Sequence, residues 1–291
     1  MPIHSKEKLE KFKKTCEDVV RGESCTFSTC EDCPFYRNNN GYGVSCSEII
    51  GVGYSSASPY AKKFLEGKIV FYEGGLVEVE DEEGETTTTK KYEFTGETTT
   101  HYGRTLHRIR RLKDGLIGGW IEKEDNLSHY GDCFVYDSAK VCGNTRIFGD
   151  AQVYNNALVS DDAWIYGNTR IFGDAQVCDK ARVSDDAWVC EDALVCGKAK
   201  VFGDAVVRGD AEVFGEVLVC DKAKVFGGAR VFEGALVSES AQVYDNTSVY
   251  GNAQVFGDAK VYGVAKIFGS AEIFGNAKIS EGEISSGGYG Q

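Results

Sequence analysis

Histidine is scarce. The 291 residues hold four, His4, His101, His107 and His129, and none of them lies in the long repeated part of the chain. That region therefore lacks the commonest general base and the commonest metal ligand. There is no run of 18 consecutive apolar residues, so no transmembrane helix is expected. No apolar stretch follows Met1-Pro2-Ile3-His4-Ser5-Lys6, so no signal peptide is expected. Basic charge is in deficit: 32 Lys+Arg stand against 45 Asp+Glu, a net −13. That balance argues against a general binder of phosphate backbones and against docking on anionic membranes. Proline (3) and methionine (1) are few, whereas glycine (35) and cysteine (11) are not. An odd cysteine count excludes complete pairing within one chain. With no leader, it points to a reducing, cytoplasmic compartment with free or metal-bound thiols; an external protein with one intermolecular disulfide is the alternative.

What the chain has in abundance is a six-residue period. Every sixth position from Val135 to Ile279 is Val or Ile, without a slip. Four places after nearly every one comes a small residue (Ala139, Thr145, Ala151, Ala157), with Val217 the larger exception and Glu283 ending the last repeat. Between them lies a turn pair such as Gly149-Asp150 or Gly167-Asn168. Three residues that alternate inward and outward make a short strand, and Gly with Asp or Asn makes a corner. Three units close a triangular coil of 18 residues, and stacked coils bury the Val column and pair their backbones as parallel ladders. The pattern predicts an all-β solenoid of about eight coils, on the order of 40 Å long. No loop insertion interrupts it, although binding and catalytic groups usually sit on such loops.

The residue after each Val is aromatic in most units and is expected to point outward. One column, 18 residues apart, reads Tyr136, Tyr154, Phe172, Cys190, Arg208, Phe226, Tyr244, Tyr262. Such rings pack on one another along the rod. Wet ring surface on every face also predicts self-association, a homotrimer first. Cys142, Cys178, Cys190, Cys196 and Cys220 share this position, and Cys178 and Cys196 are neighbours in one column, close enough for a disulfide if rotamers allow. No histidine stands near them to make a nucleophile.

The N-terminal part reads differently. Residues 1–66 form a small Cys-rich head, with short helices expected over 5–20 and 59–66. Residues 67–132 are expected to supply a strand (68–80), an acidic exposed hairpin (Glu78 to Glu85) and a solenoid cap that includes Gly118-Gly119-Trp120-Ile121-Glu122. The solenoid proper occupies 133–284 and a flexible tail 285–291. In the head, Cys30-Glu31-Asp32-Cys33 is a CxxC knuckle, with Cys25 five residues before it and Cys46 thirteen after. Cys25, Cys30, Cys33 and Cys46, with Cys16 as alternate, are the expected zinc ligands, since a small head has little core of its own. Packed free thiols, disulfides and an iron–sulfur cluster remain the alternatives.

The hexads resemble the left-handed parallel β-helix of the hexapeptide-repeat superfamily. The stretch from Leu106-His107-Arg108-Ile109-Arg110 through Trp120-Ile121-Glu122 and Asn126-Leu127-Ser128 to Val135-Tyr136-Asp137-Ser138-Ala139 is similar to phage and prophage proteins of that superfamily, described as acyltransferase-like or polymer-forming. The resemblance covers about residues 104–283. It implies the left hand, which the spacing does not; a right-handed solenoid is the alternative. Acyltransferases of the superfamily use a histidine base, and its absence from the repeats disfavours an enzyme here.

The expected function is a non-enzymatic phage or prophage scaffold in the bacterial host cytoplasm, acting through a self-associating β-helix or through a protein partner. The alternative is an anti-defence protein that sequesters a small nucleotide signal, with Arg104, His107, Arg108, Arg110, Arg111 and Trp120 as its binding residues. Guanidinium groups would meet phosphate, and rings would stack a base. The competing reading of Arg104, Arg108, Arg110, Arg111 and Lys113 is a basic patch paired with the acidic hairpin. Nucleic acid and membrane partners are disfavoured by the net charge.

Overall fold

A computed structural model describes residues 69–72, 75–78 and 90–290. The chain divides into two compact units, Met1–Thr88 and Thr89–Gln291. The helices expected over 5–20 and 59–66, the Cys-rich head and most of the acidic stretch lie outside the described residues. In the first unit β1 (Ile69–Tyr72) and β2 (Gly75–Glu78) pair antiparallel, Ile69 with Glu78 and Tyr72 with Gly75. The described part of residues 68–80 thus holds two antiparallel strands, not the single strand that its loose alternation predicts.

The second unit is an all-β parallel solenoid. Each six-residue unit contributes a two-residue strand, from Phe134–Val135 onward, and strands 18 residues apart pair in parallel. Leu158-Val159, for example, lies between Lys140-Val141 and Gln176-Val177. Backbone amides donate to carbonyls seventeen residues on, as in Leu158 N to Ala175 O and Ser160 N to Val177 O, both 2.9 Å. These ladders satisfy the strand backbone without help from side chains. One face carries nine strands, Phe134–Val135 to Lys278–Ile279. The other two join near the C-terminal end, where the long strand Lys266–Phe274 pairs with both Ser248–Val249 and Gln254–Val255.

The core is the column of Val and Ile with the column of Ala beside it, all at or near zero exposure up to Ala277, the exceptional Val217 included, with the terminal Ile279 half-buried. Three Ala positions hold Thr145, Thr169 and Thr247. Each hydroxyl donates to the carbonyl three residues back (Cys142, Tyr166, Tyr244; 2.6–2.8 Å), so the buried polar atom is satisfied.

The corners explain the Gly/Asp/Asn choice. One residue of every corner has positive φ: Gly143 at 75°, Asp161 at 62°, Asp179 at 57°. A Cβ on Gly143 would lie 2.6–2.8 Å from backbone atoms of Asp161 in the next coil. Where Asp occupies the position, its carboxylate accepts the amide one coil on: Asp179 from Gly197 (2.9 Å), Asp185 from Gly203 (3.0 Å), Asp245 from Gly263 (3.1 Å). Short polar side chains offset the strain of a left-handed backbone by such local bonds.

The ring columns differ from expectation. Rings stack nearly parallel, for example Phe148–Tyr166 at 5.1 Å and 2° and Phe226–Tyr244 at 4.8 Å and 3°. The residue after Val is not fully outward: it sits where the coil turns, covered above and below by its column. Tyr166, Cys142, Cys190, Cys220, Ser184 and Ser238 are buried, and the remaining rings are half-buried. Less ring surface is wet than the sequence suggests.

Both ends also correct the sequence. The solenoid starts before residue 133. β3 (Tyr92–His101) and β4 (Arg104–Arg111) form an antiparallel hairpin, β4 pairs antiparallel with β5 (Ile117–Ile121), and β5 pairs in parallel with Lys140-Val141. Trp120-Ile121 is thus the first rung of its face. Leu127, bridged to Ile147, holds the first rung of another. This extra coil has no hexad, because its corners are longer. The segment expected to be a flexible tail is strand over Glu283–Gly290, paired in parallel with Lys266–Phe274. That ladder needs only backbone groups, so glycine and serine do not prevent it. Among the described residues no helix is long and apolar enough to cross a membrane.

Candidate functional site

The cap is where the chain places its irregular chemistry. β4 lies between β3 and β5, and β5 carries both glycines Gly118 and Gly119 because a side chain there would meet the Val135 and Ala139 carbonyls at 2.6 Å. Tyr92 is fully buried, with its hydroxyl 3.0 Å from Glu124 O and 2.9 Å from Leu127 O, and burial pushes the phenol far up. Asn126, in a 3₁₀ turn over Glu124–Asn126, donates to Gly143 O and Thr145 O (both 3.0 Å) and accepts from Lys123 N (2.9 Å). Lys91 Nζ donates to Cys133 O (2.6 Å) and approaches Cys133 Sγ (3.1 Å).

The expected nucleotide-binding residues are all on β4 and β5, but most are already engaged. Arg104 donates to Glu122 at 3.0 and 3.2 Å. Burial acts to raise the Glu122 carboxyl, but the Gly143 amide and the Arg104 guanidinium outweigh it and hold it below its usual range. Arg110 pairs with Glu93 across the β3–β4 hairpin. Arg111 pairs with Asp114 (2.6 Å) and lies over the Phe134 ring at 5.1 Å. The Arg111 hydrogen bond, with the Leu116 amide, brings Asp114 down to about 2. Lys113 stands 3.9 Å from Asp132. So the basic patch finds partners within the cap, at Glu93, Asp114, Glu122 and Asp132; the side chains of the acidic hairpin expected to pair with it lie outside the described residues. His107 packs against Phe94 at 4.9 Å. Arg108 covers Trp120 at 4.9 Å, the cation–π arrangement. Arg108 Nε and His101 Nε2 are the two buried side-chain nitrogens without a partner among the described residues.

Along the solenoid the thiols are free. Burial raises all of them: Cys190 to about 11, Cys220 to about 12 with Asp221 beside it, and Cys178 to about 12 with Cys196 and Asp179 beside it. Thiols so raised are poor nucleophiles at neutral pH. The sulfurs of Cys178 and Cys196 and a carboxylate oxygen of Asp179 all lie within 4.8 Å of one another. The column arithmetic finds the two cysteines; it misses Asp179, though that residue follows Cys178 directly. It also misses Glu122 and Asn126, whose partners lie about 20 residues away across a coil with no repeat. An open groove near the C-terminal end of one face, lined by Ser240, Gln242, Asp258, Lys260, Asn276 and Lys278, was not expected either. The zinc set proposed for Cys25, Cys30, Cys33 and Cys46, and its alternate Cys16, lies outside the described residues.

Residues 151–167 and 175–191 match the family model of the YdcK beta solenoid repeat. No curated protein matches the chain. The matched stretches lie in the middle of the parallel ladders described above, and the chain is a β-solenoid repeat protein.

Proposed function

We propose that the chain is a non-enzymatic scaffold of phage or prophage origin, a member of the hexapeptide-repeat superfamily that acts in the host cytoplasm as a self-associating rod, a homotrimer. One observation carries the reading: each face of the triangular rod presents apolar side chains outward near mid-length. Trp188 pairs with Val206 on one face, and Leu218 with Leu236 on another. Leu158 and Leu194 flank Gln176 on the third. Trp188 is 39 % exposed, and Val206, Leu158, Leu194, Leu218 and Leu236 are half-buried. The flanking positions are mostly charged, such as Lys140, Lys200, Glu212 and Lys224. An apolar centre with a polar rim is the anatomy of an interface core. A rod without inserted loops offers little else to bind with.

The test is the mass of the intact full-length protein in reducing buffer, by light scattering after gel filtration and by native mass spectrometry. A trimer that Leu218→Lys/Leu236→Lys dissociates, with its β-sheet circular dichroism unchanged, supports the proposal. A monomer at every concentration reached overturns it. The nucleotide-sequestering alternative has less support, because Arg104, Arg110 and Arg111 each already hold a carboxylate; Arg108 on Trp120 is what remains of it.

A further inference from the structure

We propose that Cys178, Cys196 and Asp179 form a binding site for a thiophilic divalent cation of the zinc and cadmium class. Cys178 and Cys196 follow the inward Val177 and Val195, which are register partners on successive rungs. The ladder therefore holds the two sulfurs one coil apart on one column. Two thiolates bound to one tetrahedral ion at about 2.3 Å stand roughly 3.8 Å from each other. All three ligand atoms lie within 4.8 Å of one another, which reaches that geometry after small side-chain rotations.

Asp179 supplies what a mere thiol pair lacks. Its Oδ2 accepts the Gly197 amide at 2.9 Å, which fixes the carboxylate and leaves its second oxygen available. Such outer hydrogen bonds orient metal ligands. A carboxylate lends charge to a bound cation and contributes nothing to a disulfide, so the triad favours the ion over a covalent link. Cys178 and Cys196 are half-buried and Asp179 is exposed, which gives an entry path and room for water as fourth ligand. No other pair of described thiols is so placed: Cys190 and Cys220 have no cysteine on the adjoining rungs of their columns, and Cys142 is followed by Ser160. Binding displaces one proton from each thiol. This inference does not depend on the scaffold reading.

The N-terminal cysteines are thiol-rich too, so the experiment must separate the two regions. In reduced full-length protein kept with a non-thiol reductant, cadmium is added and alkylation of each cysteine is followed by peptide mass spectrometry. The expected result is that Cys178 and Cys196 react at least about tenfold more slowly with cadmium present, whereas Cys190 is unaffected. Titration should show one ion fewer per chain in Cys178→Ser/Cys196→Ser than in the wild type. Asp179→Asn should weaken that ion by about tenfold. Serine is tolerated at this position, since Ser160, Ser184 and Ser238 occupy it in other coils, so the double variant should keep its β-sheet signal. Equal alkylation rates with and without cadmium, equal ion counts in both proteins, or a Cys178–Cys196 disulfide in the protein as purified would each overturn the proposal.

Discussion

The body of the solenoid and its cap solve the same problem by opposite means. In the body, backbone ladders repeat every coil, and one residue type answers each position: Val or Ile inward, Ala beside it, Gly or Asp at the corner. Side chains there rarely satisfy the backbone beyond the corner carboxylates. The cap has no repeat, and individual side chains close it: Tyr92 on Glu124 and Leu127, Asn126 on Gly143 and Thr145, Lys91 on Cys133, Glu122 on Gly143. Damage to the body should therefore spread along the rod, and damage to the cap should stay local.

The largest effect is expected from Val195→Asp. Val195 has zero exposure and pairs with Val177 and Val213 on either side. A buried unpaired carboxylate there costs about 4 kcal/mol or more. Because each coil is held only by its neighbours, the thermal transition should also split as the two halves uncouple. A single transition at the wild-type midpoint would show that the body does not behave as a stack.

Asn126→Ala comes next. It removes both donors to Gly143 O and Thr145 O and the acceptor for Lys123 N at a fully buried site, a loss of about 2–3 kcal/mol. Hydrogen exchange should accelerate over residues 90–145 and stay unchanged beyond Ala199. Acceleration through the whole rod would erase the distinction between the regions. Tyr92→Phe keeps the ring and loses the hydroxyl, about 1 kcal/mol, with the same local pattern.

The body was legible in the sequence because every position is decided by one local rule repeated many times: register, inward column and corner follow from the spacing of Val135, Ala139 and Gly143. The cap was not, because its determinants are pairs without a period. Glu122 was visible only as part of a covering segment, and nothing marks Asn126 as the side chain that bridges two carbonyls of the next coil. The basic residues Arg104, Arg110 and Arg111 were found, but charge composition cannot say which carboxylate each will meet; the partners nearest in space were on β3, in the β4–β5 turn and just after β5. The ring columns were legible in register and misjudged in exposure, since sequence shows which rings stack but not how much of each its neighbours cover. The overlooked Asp179 belongs to the same class: column arithmetic aligns Cys178 with Cys196, while the reach of a corner carboxylate depends on a left-handed φ.

The smallest effect should come from pH, and only in the cap. His129 stacks on Tyr92 at 4.3 Å, and its Nδ1 accepts the Lys91 amide at 3.2 Å. Burial lowers its pKa from the ordinary 6.5; Glu124 works the other way, and Lys91 and Lys90 add to the lowering. Protonation would put an N–H against the Lys91 N–H. Because the folded pKa lies below the unfolded one, the unfolded chain binds the proton first as pH falls. The contribution of neutral His129 is complete above about pH 6.5 and is lost as pH falls below it, toward the lowered folded value. Exchange at the Lys91 and Tyr92 amides should become faster, relative to body amides such as Val195, as pH drops through that window. His129→Asn offers an acceptor without a titration and should remove the dependence. The same relative acceleration in His129→Asn would assign the effect to the carboxylates instead, foremost Glu122, which gives up its bonds to Gly143 and Arg104 only at lower pH.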